Sequence, residues 1–435
     1  MPINFHLSAS EAATRAAAAN FAEHILKPAR AEYLQHEEHH RRFQATHPAY
    51  VAAVQGGLLK GQISPAHGGS GGSLVETAIM VEECYAVEPS TALTIFATGL
   101  GLTPLNIAAG KAGQHAEFLA PFLRGEGAPL ASLVFSEPGG VANAMEKGVR
   151  GFQTTARRDG DEWVIDGEKM WATNCAGWDF KGCDLACVVC RDVTEGISKP
   201  NGDPKDSVMI ILVTRADLDR SGPGAFEVLR HISTPGHTSV SGPHVRYTNV
   251  RVPAKNVLCP PGQGAQVAFA SFDASAVLVG AMGVGVMRAA FDAALAFAKR
   301  DSRNGAVPLL ERQAFADLLS GVKMQTEAAR ALTWKAAHAM EHGPGNYDAR
   351  RELALAAKVY CSDASVQACM DVINAVGVTA YDLSQPFAEL LNTAIVLPIF
   401  DGGNVGIRRR HLQQLMLSPT YDAWAATFGP SSGKQ

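Results

Sequence analysis

Asp401 is the first candidate for chemistry, because its carboxylate lies between an apolar run and a pair of glycines. Residues 396–400 are mostly apolar, and Gly402 and Gly403 follow directly. An apolar setting raises the pKa of a carboxyl group and makes its carboxylate a stronger base. Arg408 returns to a similar helical face two turns later and can oppose that shift. An aspartate at this place can also cap a helix, so the pattern leaves both a general base and a cap open.

Two further stretches could hold a flat polar ring. Residues 136–140 read Ser-Glu-Pro-Gly-Gly after a predicted strand at 130–135, and a hydroxyl beside free backbone N–H groups suits a polar ring or a phosphate. The tight turn at 166–167 leads into a stretch predicted as a strand, with Trp171 and Thr173 on one face. This pairing predicts a planar aromatic cofactor against Trp171, with Thr173 as a hydrogen-bond partner. A core tryptophan and a surface threonine are the alternative.

Three other motifs resemble metal or nucleotide sites, but their context favours structural roles. Residues 36–40 satisfy H-E-x-x-H, yet they lie in a run that is polar on every face, which favours a solvated surface. Cys183, Cys187 and Cys190 have a spacing used by iron–sulfur sites. A buried strand there would point the last two to opposite faces. The glycines at 280–285 lie in a helical run without a preceding strand, which favours close helix packing over a Rossmann site. We therefore predict no metal.

The candidates are spread over three predicted domains. Apolar recurrence at three and four residues predicts a helical domain over 1–127, and short β-branched or aromatic runs predict a β domain over 128–262. The helical period returns over 263–435 in four segments, which predicts a four-helix bundle. Pro28 is expected to end the first helix. The predicted fold class is α+β.

Composition favours a globular enzyme of a reducing compartment. The chain of 435 residues is 47% hydrophobic and 18% charged. Its net charge of −4 provides no global basic field for nucleic acid or anionic lipid. No stretch approaches the roughly eighteen uninterrupted apolar residues of a membrane span, and no secretory leader is recognised. The eight irregularly spaced cysteines argue against a disulfide framework. We expect a cytoplasmic protein that binds neither nucleic acid nor a membrane.

Taken together, these features resemble the acyl-CoA dehydrogenase superfamily over nearly the whole chain. The resemblance rests on the order of helices, sheet and bundle, on Ser-Glu-Pro at 136–138, on Gly-Glu-Lys-x-Trp-x-Thr-Asn at 167–174, and on the late carboxylate before Gly402. Within the superfamily, the chain looks most like the nitroalkane oxidases. Five short stretches carry that likeness: residues 131–138, 153–157, 177–182, 400–404 and 425–427.

The resemblance implies that FAD binds between the β domain and the bundle. By matched position, the cofactor contacts would come from Leu133, Val134, Phe135, Ser136, Trp171, Ala172, Thr173, Gly402 and Gly403. Arg303 and Gln313 would reach the FAD of a neighbouring subunit in a homotetramer. Asp401 would be the base that removes a proton, with Ser275 orienting it and Arg408 helping to keep it ionised.

The implied reaction converts a nitroalkane, O2 and water into an aldehyde or ketone, nitrite and hydrogen peroxide, and it starts when Asp401 removes the α-proton. An acyl-CoA dehydrogenase would use the same base, but its usual Gly-Ser-Asp element is replaced by Gly-Val-Ala-Asn at 140–143. Ala276 also stands where many of those enzymes carry arginine. A flavin-carrying nucleic-acid-binding relative is the third alternative, with local support only from the arginines at 408–410.

Overall fold

The computed structural model describes residues 6–111, 113–194 and 202–431. In sequence order, the described chain forms helices, a mixed β-sheet and a second set of helices, which confirms the predicted fold class. The loop between Leu123 and Ala131 and the loop between Cys259 and Gly264 separate the three parts. The domain limits predicted at 127 and 262 fall within these two loops.

The N-terminal part contains seven α-helices and, among its described residues, no strand. Its helices are α1 (Ala9–Phe21), α2 (Lys27–Tyr33), α3 (His39–Ala45), α4 (His47–Gln55), α5 (Leu74–Tyr85), α6 (Pro89–Ile107) and α7 (Gln114–Leu123). The prediction that Pro28 ends the first helix is wrong, because a π-helical turn at Ala22–Leu26 joins α1 to α2. Pro28 then lies in the first turn of α2, where a missing N–H is tolerated.

The H-E-x-x-H residues do not share a helix. α2 ends at Tyr33 and α3 begins only at His39, so His36 lies in the turn between them. The zinc spacing depends on two histidines one helical turn apart. That geometry is not formed between His36 and His40.

The middle part is one eight-stranded sheet. Its elements are β1 (Ala131–Val134), β2 (Thr155–Asp159), β3 (Glu162–Lys169), β4 (Leu185–Asp192), β5 (Val208–Thr214), the short helix α8 (Arg215–Ser221), β6 (Phe226–Arg230), β7 (His244–Pro253) and β8 (Val257–Cys259). The strand order is β6-β7-β3-β2-β4-β5-β8, and β1 also pairs with β4. β1 and β2 run parallel to β4, whereas the other neighbours are antiparallel. The sequence analysis missed β6, β7 and β8, because β6 and β7 mix apolar with charged residues and β8 is very short.

The cysteines of β4 belong to the core. Cys187 and Cys190 are fully buried, and the Cys187 thiol donates to the carbonyl of Gly101 at 3.3 Å. Burial raises the pKa of Cys190 to about 12, which keeps its thiol protonated. These are the properties of small core residues.

The C-terminal part contains three long helices and several short ones. They are α9 (Gly264–Ala298), α10 (Gln313–His342), α11 (Tyr347–Val376), α12 (Phe387–Ala394), a π-helical turn (Asn404–Arg408), α13 (Arg409–Met416) and α14 (Ala425–Phe428). The last helical segment expected from the sequence is formed by the π-helical turn and the short helix α13. A sharp turn at Asp401 and Gly402, both with positive φ, precedes it. That turn lies between α12 and the π-helical turn.

One helix of the described chain, α9, has the length and apolar composition to cross a membrane, with a mean hydropathy of 1.7 over its most apolar window. Within the protein, 67% of that window is buried. α9 packs against α5, α10 and α11, so its apolar residues fill the interior. Packing in the interior therefore explains why α9 has the apolar composition of a membrane span. The sequence analysis did not expect such a composition in any stretch of the chain.

Three glycines of α9 allow this close packing, as predicted. A Cβ atom on Gly280 would lie 2.9 Å from the Thr333 hydroxyl of α10, and one on Gly283 would lie 2.8 Å from the Cys361 carbonyl of α11. A Cβ atom on Gly285 would lie 2.8 Å from the Glu82 carbonyl of α5. These distances are shorter than side-chain contacts allow, so the interhelical spacing requires glycine.

We expect Gly285→Ala to lower the free energy of unfolding by about 1–3 kcal/mol, because the α5 backbone must move to admit the methyl group. Gly321→Ala in α10 is the matched control, since no atom lies within 4 Å of its Cβ position. The control should stabilise the protein by roughly 0.5–1 kcal/mol through helix propensity. Urea unfolding of both variants measures the difference, and equal effects would contradict the packing argument.

Candidate active site

A cavity of about 1040 Å³ lies between the three parts of the chain. Its volume is at the upper end of the roughly 300–1,000 Å³ of small-molecule sites. The predicted site residues that line it are Leu133, Phe135, Ser136, Trp171, Ala172, Thr173, Ser275, Asp401, Gly402, Gly403 and Arg408. The structure thus brings together residues from β1, the turn after β3, α9 and the loop after α12.

Asp401 lies on the cavity wall in a left-handed backbone conformation, with φ at 53°. The hydroxyl of Ser275 in α9 donates to Oδ2 of Asp401. Burial raises the pKa of Asp401 above its ordinary value, whereas the Ser275 hydrogen bond and the charges of Arg408 and Lys358 act against that rise. Burial therefore strengthens the carboxylate as a base, and these three contacts limit the rise of its pKa.

The helix-cap alternative does not fit this geometry. Gly403, and not Asp401, is the N-cap residue of the π-helical turn at Asn404–Arg408, and no side chain caps that turn. A non-glycine residue at positive φ is uncommon and often marks a functional position. Asp401 is thus directed toward the cavity by its own backbone and by Ser275.

Arg408 binds the backbone of the Asp401 loop rather than the carboxylate. Its Nε and one terminal nitrogen donate to the carbonyl of Asp401 at 2.9 and 2.6 Å, and the same terminal nitrogen donates to the carbonyl of Phe272 at 2.9 Å. The side chain is almost completely buried, with 1% of Arg408 exposed. Arg408 therefore ties the loop to α9 and also contributes a positive charge near Asp401.

The sequence analysis missed Asp273, the direct partner of Arg408. Its carboxylate accepts from Arg408 at 3.2 Å and pairs with Arg351 at 2.6 Å, and the Tyr347 hydroxyl lies 3.3 Å away. Burial raises the pKa of Asp273, and Arg351 and Arg408 oppose that rise. A charged residue two positions before Ser275 in an apolar helix was the available signal.

Trp171 and Thr173 lie in a turn and not on one strand face. β3 ends at Lys169, and Trp171 has a φ of 69°. This left-handed backbone breaks the two-residue alternation on which the prediction depended. Both residues still line the cavity, and 53% of Trp171 is exposed there.

Buried polar contacts hold this turn beside the end of β1. The ammonium group of Lys169 donates to the carbonyls of Phe135 at 2.9 Å and Val189 at 2.7 Å, and it pairs with Glu137 at 3.1 Å. Glu137 also accepts the backbone N–H of Thr154 at 2.9 Å. Glu137 therefore orders the loop and is not available to a ligand.

The resulting wall fits the ring of a flavin. The hydroxyls of Ser136 and Thr173 have no hydrogen-bond partner among the described residues, and both line the cavity. Leu133 and Phe135 supply apolar surface beside them. A flavin ring needs an apolar face and polar contacts at its edge. Val134 is buried and does not line the cavity, because alternate residues of β1 face opposite sides.

Arg303 and Gln313 lie outside the cavity. Arg303 donates to the Thr379 hydroxyl at 2.7 Å and to the carbonyl of Val376. Gln313, at the start of α10, donates to Asp317 at 2.8 Å. Their predicted contact with the cofactor of a neighbouring subunit stays a prediction.

Family models match both helical parts of the chain. The acyl-CoA dehydrogenase N-terminal domain matches residues 8–126, and the acyl-CoA dehydrogenase C-terminal domain matches residues 262–417. The fold and the site together define a flavin-dependent oxidoreductase of the acyl-CoA dehydrogenase superfamily.

Two relatives show to which family within the superfamily the chain belongs. The chain is 78% identical over 430 residues to the nitroalkane oxidase of Podospora anserina, with 99% of each chain covered. It is 45% identical over 433 residues to the nitroalkane oxidase of Fusarium oxysporum, with 99% of this chain and 98% of the other covered. The chain belongs to the nitroalkane oxidase family.

Solved structures agree with this assignment. The Podospora anserina nitroalkane oxidase superposes with a TM-score of 0.96, covering 98% of this chain and all (100%) of the other. A nitroalkane oxidase at 44% identity superposes with a TM-score of 0.95, covering 98% of this chain and 100% of the other. That protein is an active-site aspartate-to-asparagine variant crystallised with 1-nitrooctane.

Proposed function

We propose that this protein oxidises nitroalkanes with O2 and water to an aldehyde or ketone, nitrite and hydrogen peroxide, and that its cofactor is FAD. The observation that carries the proposal is Asp401, a half-buried carboxylate on the wall of a large cavity, held by Ser275 and by Arg408. The relatives named above support the substrate class, since their names and one bound ligand refer to nitroalkanes.

Asp401 begins the reaction by accepting the α-proton of the substrate. A nitro group makes this proton acidic, because the electron pair left on carbon delocalises onto the nitro oxygens to give a nitronate. The Ser275 hydroxyl donates its hydrogen bond to Oδ2 of Asp401. Oδ1 accepts no hydrogen bond from the described residues, so it is available for the α-proton of the substrate. Burial strengthens the base, as its raised pKa indicates.

The apolar part of the cavity holds the alkyl chain and excludes water from the base. The residues that provide this surface include Leu93, Phe96, Leu278, Met282 and Ile399. Dehydrating the carboxylate strengthens its interaction with the substrate proton. A bound flavin supplies the two-electron acceptor and the route to O2. Ser136 and Thr173 would hold its polar edge, and Leu133 would pack against the ring.

A steady-state assay tests the proposal directly. The purified protein should be yellow with non-covalent FAD, and nitroethane should yield nitrite and hydrogen peroxide in equal amounts. A panel of acyl-CoA thioesters tests the acyl-CoA dehydrogenase alternative in the same preparation. Turnover of a thioester without nitrite release from nitroethane would reject the proposal, and a protein that cannot be reconstituted with FAD would reject the cofactor.

We also propose a homotetramer in which Arg303 and Gln313 contact the cofactor of a neighbouring subunit. Three apolar side chains beside Arg303 support an interface, since Val378, Tyr381 and Leu383 are 84%, 87% and 90% exposed in the single chain. Arg303 bonds directly to this segment through Thr379. Burying such a patch between subunits would remove it from water.

Arg303→Ala should weaken FAD retention by roughly tenfold, the loss expected for one charge-assisted hydrogen bond. Arg300→Ala is the matched control, because among the described residues Arg300 donates only to the carbonyl of Ala296, four positions before it, at 3.0 Å. Dilution followed by flavin fluorescence measures retention, and light scattering measures the mass. If Arg303→Ala has unchanged FAD affinity and remains a tetramer, the proposed contact between Arg303 and the FAD of a neighbouring subunit is contradicted.

A further inference from the structure

We propose that Lys358 is a positioning residue for the catalytic base: through Asn404 it holds the turn that carries Asp401, and its ammonium charge favours the ionised carboxylate. Asp401 as the base is part of the proposed function, and this inference rests on it. Neither Lys358 nor Asn404 was singled out by the sequence analysis.

Lys358 reaches the active-site turn from the middle of α11. It is completely buried, with 0% exposed, and its ammonium group donates to Oδ1 of Asn404 at 2.7 Å. Asn404 is the first residue of the π-helical turn that ends at Arg408. The backbone N–H of Asn404 donates to the carbonyl of Pro398 at 2.8 Å. Asn404 thus closes the turn of residues 398–404, in which Asp401 lies.

Asn404 anchors that turn to α11 at further points. Its amide nitrogen donates to Asp363 at 2.8 Å and to the hydroxyl of Ser362 at 3.0 Å. A buried amide that makes all these bonds has one orientation, since rotating it would exchange donors and acceptors. The bond from Lys358 fixes the oxygen side of the amide. Losing it would leave a buried acceptor unpaired and free the turn to shift.

The charge of Lys358 is not neutralised by a direct partner. Among the described residues, no ion pair joins its ammonium group to a carboxylate, whereas Arg408 pairs with Asp273 at 3.2 Å. The charged and titratable groups around Lys358 and the turn are Asp401, Arg408, Asp363, Arg351, Arg409, His411 and Asp273. Lys358 and Arg408 are the two cations that favour ionised Asp401.

The protonation of Lys358 agrees with this role. Burial, with a smaller contribution from Arg408, lowers the pKa of Lys358 to about 7, and Asp401 and Asp363 act in the opposite direction. The ammonium form is therefore present at lower pH, where Asp401 would otherwise take up a proton. The charge declines as the pH rises, when Asp401 no longer needs it to stay ionised.

Three variants separate charge from hydrogen bonding. Lys358→Met removes both, Lys358→Gln removes the charge and keeps a donor for Asn404, and Lys358→Arg keeps the charge. Lys323→Met in α10 is the matched control, because Lys323 is exposed and pairs with Glu327 on its own helix. Lys358→Met should fold, since an apolar residue of similar length suits a buried site, and Lys358→Gln serves the same test if it does not.

The readout is the pKa of Asp401, measured in two ways on the FAD-loaded enzyme. The first is the acid limb of kcat/KM for neutral nitroethane. The second is difference infrared titration of the Asp401 carboxyl band, identified by its loss in Asp401→Asn. In Lys358→Met and Lys358→Gln, the acid limb of kcat/KM and the midpoint of the infrared titration should both move to higher pH by about one unit. This is the lower end of the pKa shift that a nearby charge causes. Lys358→Arg and Lys323→Met should stay close to the original protein.

A purely structural role predicts a different pattern. If Lys358→Met and Lys358→Gln lower kcat/KM equally at every pH and leave the infrared titration unchanged, the inference is overturned. If the original protein releases no nitrite from nitroethane, the proposed function fails, but the infrared titration still decides the relation between Lys358 and Asp401. The two failures are therefore distinguishable.

Discussion

Asp401→Asn should leave FAD bound and reduce flavin reduction by neutral nitroalkane roughly 10²–10⁴-fold, the usual effect of losing a general base. The amide has nearly the size of the carboxylate and can still accept the hydrogen bond from Ser275. It has no basic oxygen for the α-proton, so the loss should appear in the chemical step. Stopped-flow reduction measures the rate, and flavin absorbance measures the bound cofactor.

The preformed nitronate anion is the control for this variant. It has already lost the α-proton, so Asp401→Asn should be far less impaired with nitronate than with the neutral form. Equal losses with both forms would assign Asp401 a structural role. Near-normal activity with the neutral nitroalkane would exclude Asp401 as the base.

Arg408→Met should lower the free energy of unfolding by about 3–5 kcal/mol, the usual cost of removing one partner of a buried ion pair. The change leaves Asp273 without one of its two cations and removes the hydrogen bonds from Arg408 to the carbonyls of Asp401 and Phe272. Activity should fall in parallel, because the turn that carries Asp401 loses its tie to α9. Urea unfolding at a fixed excess of FAD measures the stability.

Arg409→Met is the matched control at the next position. Arg409 pairs with Asp363 at 2.7 Å, but more than half of its side chain is exposed, 57%. An exposed pair contributes about 0–1 kcal/mol, so this variant should stay close to the original stability. If Arg409→Met lowered the free energy of unfolding as much as Arg408→Met, the buried contacts of Arg408 would contribute no more stability than an exposed ion pair.

Arg408→Lys distinguishes the geometry of the guanidinium from its charge. Lysine keeps a positive charge near Asp401, but it cannot span the two carbonyls and Asp273 as a planar fork does. If geometry matters more, the lysine variant should resemble Arg408→Met in both stability and activity.

The sequence by itself determined the α+β class and the three-part order, and it singled out Asp401 as the candidate base. These follow from short-range rules: helical and strand periods are visible in a single stretch, and Asp401 is marked by the apolar run before it and the glycines after it. The glycines of α9 were also interpreted correctly, because their helical context excludes a strand-turn-helix nucleotide loop. The resemblance to a known family connected these local features to a flavin and a base, and the comparisons confirm the family.

Only the tertiary structure decided how the base is held. Arg408 was expected to help keep Asp401 ionised, and its charge does oppose the rise in the pKa of that carboxyl group. Its hydrogen bonds, however, go to the backbone carbonyl of Asp401 and to Asp273, which lies 135 positions away in the sequence. Trp171 was expected on a strand face, but a left-handed backbone places it in a turn. Lys358 gave no sequence signal, because a lysine in a helix is ordinarily solvated. The role proposed for it rests on complete burial next to Asn404, and burial depends on packing between segments far apart in the chain.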